Sequence, residues 1–166
     1  MNKKETRVLA KKIRQGLCYN KEEIISKIKP YLVNKHTVGL YYPLDMELDL
    51  TFLEGVFKNI RFVYPKIREN SIIFKEKGQV WEKGLFNTYE PTGADVNKKD
   101  IDLIITPLLA INARNYRLGY GKGYYDRFLS DFSNDTLAII KKELLLDFKE
   151  DSFDIKIKDV ILLWQL

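Results

Sequence analysis

Tyr116-Arg-Leu-Gly-Tyr-Gly-Lys-Gly-Tyr-Tyr-Asp-Arg127 is unlike the rest of this chain. Gly119, Gly121 and Gly123 fall within five residues, interleaved with Tyr120 and Lys122 and followed by Tyr124 and Tyr125. Glycine accepts positive φ and lets another group approach the backbone closely. Successive N–H groups in such a turn form a concave nest that suits an anion. Arg117 and Lys122 bring full positive charge beside it, Arg as a fork for phosphate oxygens and Lys as a compact point charge. Beyond the loop, Tyr125, Phe128 and Leu129 repeat at helix spacing with no Gly or Pro, so a helix is expected to open at Gly123. A helix N-terminus offers free N–H donors to phosphate. Asp126, in its first turn, either complements the helix dipole or holds a Mg²⁺ that bridges phosphates. The loop is neither a Walker A loop nor the dinucleotide fingerprint. A tight, aromatic-studded turn between strand and helix is the plainer reading. Arg, Lys and Asp at these spacings favour phosphate binding over it.

Outward from this loop, Ile101–Thr106 is nearly continuously apolar, as in a strand covered on both faces, and Pro107 ends it. Leu108–Ile111 is a second apolar piece leading into the glycines. Further strands are expected at Thr37–Tyr42, Ile60–Tyr64 (stopped by Pro65), Ile72–Lys75, Thr136–Ile140 and Val160–Leu163. Lys3–Leu17 reads as an amphipathic helix. A second is expected to start at Asn20 with Glu23 and to end or kink at Pro30. A third, capped by Asp49 or Thr51, turns Leu53, Val56 and Phe57 inward. Gly78–Pro91 reads as aromatic and irregular, and Asp95–Asp100 as a polar linker. Strands alternating with helices predict an α/β fold: a single layered domain over residues 1–166, with a mostly parallel central sheet flanked by helices. Its ligand is expected at the C-terminal ends of the strands, in the strand–glycine loop–helix unit Ile101–Leu129.

Composition narrows the chemistry. The chain has 166 residues, 45% hydrophobic and 31% charged, the profile of a soluble globular protein. Its longest apolar-rich run, Leu103–Ile111, is far too short to span a bilayer. Cys18, the single cysteine, excludes an intrachain disulfide and a Cys-rich zinc site, and makes the cytoplasm the default compartment. His36 is the single histidine, so Ser-His-Asp and Cys-His systems are not favoured. A net charge of +5 and a pI near 9.1 fit an anionic ligand without choosing among them. Lys3, Arg7, Lys11 and Arg14 form a basic helical stripe, most simply a solvated face and otherwise a phosphate-facing wall, a nucleic-acid patch or a membrane-surface helix, the last opposed by Glu5, while Leu9, Ile13 and Leu17 form another stripe. Carboxylates, cations and a phosphate loop remain, a set that suits phosphoryl transfer.

Arg117-Leu-Gly-Tyr-Gly-Lys-Gly-Tyr-Tyr-Asp126 closely resembles the signature of the 5-formyltetrahydrofolate cyclo-ligase family, also called methenyltetrahydrofolate synthetases. Other landmarks follow in the family order: Lys3 and Arg7 on a basic N-terminal helix, Tyr42-Pro43 with Glu47, Glu90-Pro91, and Asp102-Leu-Ile-Ile-Thr-Pro107. The resemblance implies an enzyme that uses ATP and Mg²⁺ to convert 5-formyltetrahydrofolate to 5,10-methenyltetrahydrofolate, releasing ADP and phosphate. It implies that Lys3, Arg7 and Arg117, Leu118, Gly119, Tyr120, Gly121, Lys122, Gly123, Tyr124 and Tyr125 hold ATP, with Arg117 and Lys122 as the catalytic cations. Asp126 and Asp154 are the implied Mg²⁺ ligands. Tyr42, Glu47, Phe86, Tyr120 and Tyr124 are the implied folate contacts. The expected partners are these two small molecules, not nucleic acid or membrane, and the expected form is a monomer.

The family often reads Pro-Gly-Leu-Ala-Phe-Asp before the loop; this chain reads Pro107-Leu-Leu-Ala-Ile-Asn112. Leu108 loses a backbone freedom and Asn112 loses a charge. Two other classes share some of these features. A basic RNA-binding α/β domain would stack tyrosines on bases, and a sugar-phosphate or CoA-ester enzyme would use the loop without a metal-bound Asp126.

Overall fold

The computed structural model describes residues 1–44, 46–84 and 89–164. Its centre is a seven-stranded sheet, flanked by helices. Thr37–Gly39 (β1) lies between Arg61–Arg68 (β2) and Leu103–Ile105 (β7), parallel to both. Beyond β7, Asp135–Lys141 (β10) and Asp159–Leu163 (β11) continue the parallel run. On the other side, Ser71–Glu76 (β3) and Asp95–Val96 (β6) add antiparallel strands. The mostly parallel α/β sheet is thus the architecture the alternation of elements implied.

The β7 strand shows why its sequence is apolar throughout. Leu103 and Ile105 enter a core with Ile24, Ile28 and Leu32, whereas Ile104 enters one with Ala10, Phe74 and Phe128. Side chains alternate across a strand, so a strand covered on both faces needs no polar residue. Lys21–Leu32 (α2) covers one face; Lys3–Arg14 (α1) and Tyr124–Leu129 (α4) cover the other. Asn2 and Glu5 close a capping box at the start of α1. Asn20 caps α2, as its sequence suggested. Among the described residues, no helix is long and apolar enough to cross a membrane.

Several local expectations change. Pro65 does not stop β2, which runs on to Arg68. The Leu40 N–H donates to the Val63 carbonyl, so Val63 and, two residues on, Pro65 turn their backbone polar groups to the same edge. There β1 has already ended, and the missing proline N–H deprives no partner. Pro30 lies inside α2 with two residues still to follow, since only one N–H of the last turn is lost.

The third helix shrinks to Leu53–Val56 (α3) with no side-chain cap; Asp49 instead bonds the Thr51 N–H and hydroxyl. Leu53 is buried but Val56 is exposed. The irregular stretch contains an antiparallel pair, Trp81–Lys83 (β4) with Tyr89–Pro91 (β5). The polar linker supplies β6 and a 3₁₀ turn, Lys98–Asp100. These pieces are too short to carry a periodic signal.

Candidate active site

The chain leaves β1 into the segment Tyr41–Glu47 and leaves β7 through Pro107 into a small antiparallel pair, Ala110–Ile111 (β8) with Arg117–Leu118 (β9), and then the glycine loop. Between these exits opens a cleft of about 760 Å³ at the C-terminal ends of the parallel strands. Lys3, Arg7, Tyr42, Glu47, all of Arg117–Asp126, and Asp154 line it. The sequence-predicted site residues therefore converge on one surface. Phe86 lies outside the described residues.

The glycine loop forms one wall. Gly121 has φ 97° and Gly123 φ 73°, conformations that favour glycine, and Gly123 is the N-cap of α4. Among the described residues, no hydrogen bond takes up the N–H of either glycine. Arg7 Nε donates to the Gly119 carbonyl at 2.8 Å, and a Cβ on Gly121 would sit 3.4 Å from the Arg7 guanidinium. Arg117 Nε donates to the Pro107 carbonyl at 3.0 Å. Its guanidinium lies beside Gly119, where a Cβ would come within 2.5 Å. Burial lowers the pKa of Arg117, opposed by the charges of Asp126 and Glu47, and its side chain is only 8% exposed. Arg127 fastens the rim by donating to the Lys122 and Asn70 carbonyls.

Below the loop lies a group of carboxylates. Asp126 accepts from the Ile155 N–H at 3.2 Å, with its other oxygen 3.9 Å from Arg117 Nη1. The Asp154 carboxylate accepts from the Asp151 N–H and from Lys3 Nζ, which also reaches Asp151 at 2.7 Å. Burial acts to lower the Lys3 pKa, but the two carboxylates outweigh it and hold the ammonium above its ordinary value. Asp126 and Asp154 both line the cleft, and both are anionic oxygen donors beside a cationic loop. That donor set fits a hard cation, which takes carboxylate and phosphate oxygens together. Lys3 already neutralises part of it.

The opposite end of the cleft is aromatic. Tyr42 packs against Tyr89 and Trp81, ring centroids 5.1 and 5.2 Å apart. The Glu47 carboxylate folds back to accept the Leu44 N–H at 2.8 Å. Burial pushes its carboxyl up to about 7, against the pull of the Leu44 N–H and of the Arg117 and Arg14 charges. The Tyr125 hydroxyl is buried with no hydrogen-bond partner among the described residues. An orphaned donor of this kind is costly unless a ligand meets it.

Tyr89, Glu90, Asp151 and Phe153 are among the further lining residues that residue spacing did not bring out. Glu90 is buried on β5 and accepts the Ile67 N–H at 3.0 Å, which closes the edge of β2 beyond β1. Glu90-Pro91 was visible as a family pair; the other three carried no signal. Arg14, placed by its spacing on the basic stripe, is buried rather than solvated and bonds three carbonyls. Asn112 is also buried. Its amide donates to the Phe148 carbonyl and Glu150, and its oxygen accepts the Arg114 and Tyr116 N–H groups. It holds the β8–β9 turn, and the cleft lining does not include it.

Fold and cleft together define an α/β protein with a cationic glycine wall, a carboxylate floor and an aromatic end in one depression. Residues 7–151 match the model of the 5-formyltetrahydrofolate cyclo-ligase family, and the chain belongs to that family. It is 33% identical over 151 residues to the 5-formyltetrahydrofolate cyclo-ligase of Mycoplasma pneumoniae, covering 84% of this chain and 82% of that protein. A solved 5,10-methenyltetrahydrofolate synthetase from the same organism superposes with a TM-score of 0.80 at 27% identity, covering 97% and 98% of the two chains. The Aquifex aeolicus 5,10-methenyltetrahydrofolate synthetase superposes with a TM-score of 0.82 at 30% identity, covering 98% and 90%.

Proposed function

We propose that the cleft carries out an ATP-dependent closure of 5-formyltetrahydrofolate to 5,10-methenyltetrahydrofolate through a phosphorylated formyl intermediate. The enzyme class follows from family membership: a cyclo-ligase acting on 5-formyltetrahydrofolate. The two-ended character of the cleft carries the finer reading, because it pairs a phosphate-type nest with an aromatic, carboxylate-bearing end.

A formamide oxygen is a poor leaving group. Transfer of the γ-phosphoryl to it breaks the terminal P–O bond of ATP and converts that oxygen to a phosphate ester. N10 then attacks the activated carbon and loses its proton. The C–O bond breaks, phosphate departs, and the remaining N5–C bond takes up the double-bond character of the methenyl product. Lys3, Arg7 and residues 117–125 hold the triphosphate in this reading, with Arg117 and Lys122 countering the charge that develops during transfer. The bare Gly121 and Gly123 amides support it.

Asp126 and Asp154 are the residues that would hold Mg²⁺, which when bound neutralises phosphate charge. Tyr42 and Tyr89 form an apolar wall for the pterin, with Tyr120 and Tyr124 on the loop side. Ionised Glu47 accepts from pterin N–H groups, and the Tyr125 hydroxyl, without a partner among the described residues, is a donor for ligand oxygen. We take a monomer with one domain as the active unit. We place the reaction in the cytoplasm.

The test mixes protein, ATP, magnesium chloride and 5-formyltetrahydrofolate and follows the absorbance of the conjugated methenyl product against ADP release. One ADP per methenyl group is expected. Product without ADP, or ADP without folate, would overturn the phosphorylated intermediate.

A further inference from the structure

Arg14 behaves unlike Lys3 and Arg7 on the same helix. It is the last residue of α1, 8% exposed. Nη1 donates to the Met46 carbonyl at 2.6 Å, Nη2 to the Leu108 carbonyl at 2.6 Å, and Nε to the Leu109 carbonyl at 3.1 Å. Among the described residues no carboxylate forms an ion pair with it; carbonyl oxygens take its hydrogen bonds, and the Glu47 charge acts on it without direct contact. Burying an unpaired charge is expensive, and an apolar side chain of similar volume would fill the space at lower cost. What the guanidinium holds explains its presence.

Both segments that it holds lead into the cleft. Met46 immediately precedes Glu47, and Leu108 follows Pro107, whose carbonyl accepts from Arg117. We propose that Arg14 is a positioning residue for the reaction: by tying the Met46 carbonyl to the Leu108–Leu109 segment across the end of α1, it sets Glu47 in register with Arg117 on the opposite side of the cleft. The proposal rests on the reading of Glu47 as the folate-side acceptor. Its electrostatics run in the same direction. Glu47 is influenced by the charges of Arg14 and Arg117, and it acts in turn on the Tyr41 and Tyr125 hydroxyls; both cations favour its ionised form. Methionine at position 14 removes the clamp and one of these two charges. Lysine keeps the charge but cannot reach three carbonyls at once.

The experiment compares full-length R14M, R14K, E47Q and R14M/E47Q. It measures KM for 5-formyltetrahydrofolate and for ATP across pH 6 to 8.5, together with thermal midpoints. R14M is expected to raise the folate KM about tenfold or more, to leave the ATP KM within about threefold, and to move the acidic limb of kcat/KM upward. R14K is expected to share the raised folate KM but keep the wild-type limb. R14M/E47Q should bind folate no worse than E47Q.

A lower melting point in R14M with wild-type folate KM and pH limb would reduce Arg14 to a stability role and overturn the proposal. Should R14M fail to fold, R14K decides alone: a wild-type folate KM there rejects the clamp. An E47Q enzyme with unchanged folate KM would instead bring down the folate-side reading, and this proposal with it.

Discussion

Arg7 Nε and the Gly119 carbonyl meet at 2.8 Å across 112 residues of sequence. The contact makes α1 and the glycine loop two halves of one wall. It takes up a loop carbonyl and sets the guanidinium beside Gly121.

Arg7→Met should therefore weaken ATP more than folate. Loss of a charge-assisted contact predicts a rise of about tenfold or more in the ATP KM. The folate KM should change by less than about threefold. Separate titrations of the two substrates check this, and the reverse order would remove Arg7 from the nucleotide side.

Gly123→Ala should destabilise the fold by about 1–2 kcal/mol, the cost of the left-handed region to a residue with a Cβ. At φ 73° the new methyl would also come within 2.7 Å of Arg127 Nη1. Urea unfolding gives the stability, and ATP titration should show weaker binding, because the loop must shift. Gly16, with open space around its missing Cβ and no positive φ, is the internal comparison.

Asp126→Asn keeps an oxygen for the Ile155 N–H but loses its charge. The melting point should move by only a few degrees, as expected for a change that preserves the bond. Turnover should fall about 100-fold or more, with a raised magnesium requirement. Rate measured against magnesium concentration tests it. Wild-type turnover at low magnesium would take Asp126 out of the metal reading.

The pH dependence of stability should report Glu47. Its carboxyl lies near 4.5 when exposed and is raised to about 7 by burial. The stabilising neutral form is fully present below 4.5, and its contribution is lost as pH rises through about 7. Wild type should lose stability relative to Glu47→Gln across that window, by on the order of 3 kcal/mol at most, and run parallel to it above. Unfolding midpoints of both proteins from pH 4.5 to 8.5 make the comparison; a constant difference over the window would contradict it. Folate binding through the ionised acceptor should strengthen over the same rise in pH.

Asn112→Asp restores the residue that the family often carries, yet should destabilise this chain by about 1–3 kcal/mol near neutral pH, the cost of disrupted buried hydrogen bonds. The change deletes two donors, one of which lies 2.9 Å from Glu150, and faces two carboxylates against each other. Adding Glu150→Gln should recover much of the loss, because an amide donor returns from the other side. Equilibrium unfolding of the single and double variants measures the recovery.

Legibility in the sequence followed the length scale of the cause. The strand at Leu103–Ile105 was evident because burial on both faces demands an unbroken apolar run. The helix after Gly123 was evident because a local spacing specifies it. Leu108 departs from the family pattern without disturbance: its side chain is buried, and its backbone carbonyl serves Arg14. The passage of β2 through Pro65 was not readable, since whether proline breaks a strand depends on which edge still needs an N–H. That is set by where β1 ends, in another part of the chain.

Arg14 gives the same lesson from the side of charge. Its spacing with Lys3, Arg7 and Lys11 reads as a solvated stripe, and periodicity cannot distinguish a guanidinium in water from one satisfied by carbonyls. Those carbonyls belong to Met46, Leu108 and Leu109, distant in sequence. The sequence alone determined the α/β alternation, the glycine wall and the family, because these depend on residue type and short spacing. Tertiary structure alone decided that Lys3 meets Asp154, that Glu47 lies half-buried within reach of the Arg117 charge, and that the Tyr125 hydroxyl has no partner among the described residues. Each is a matter of distance and desolvation between separate elements, and those quantities exist only once the chain has packed.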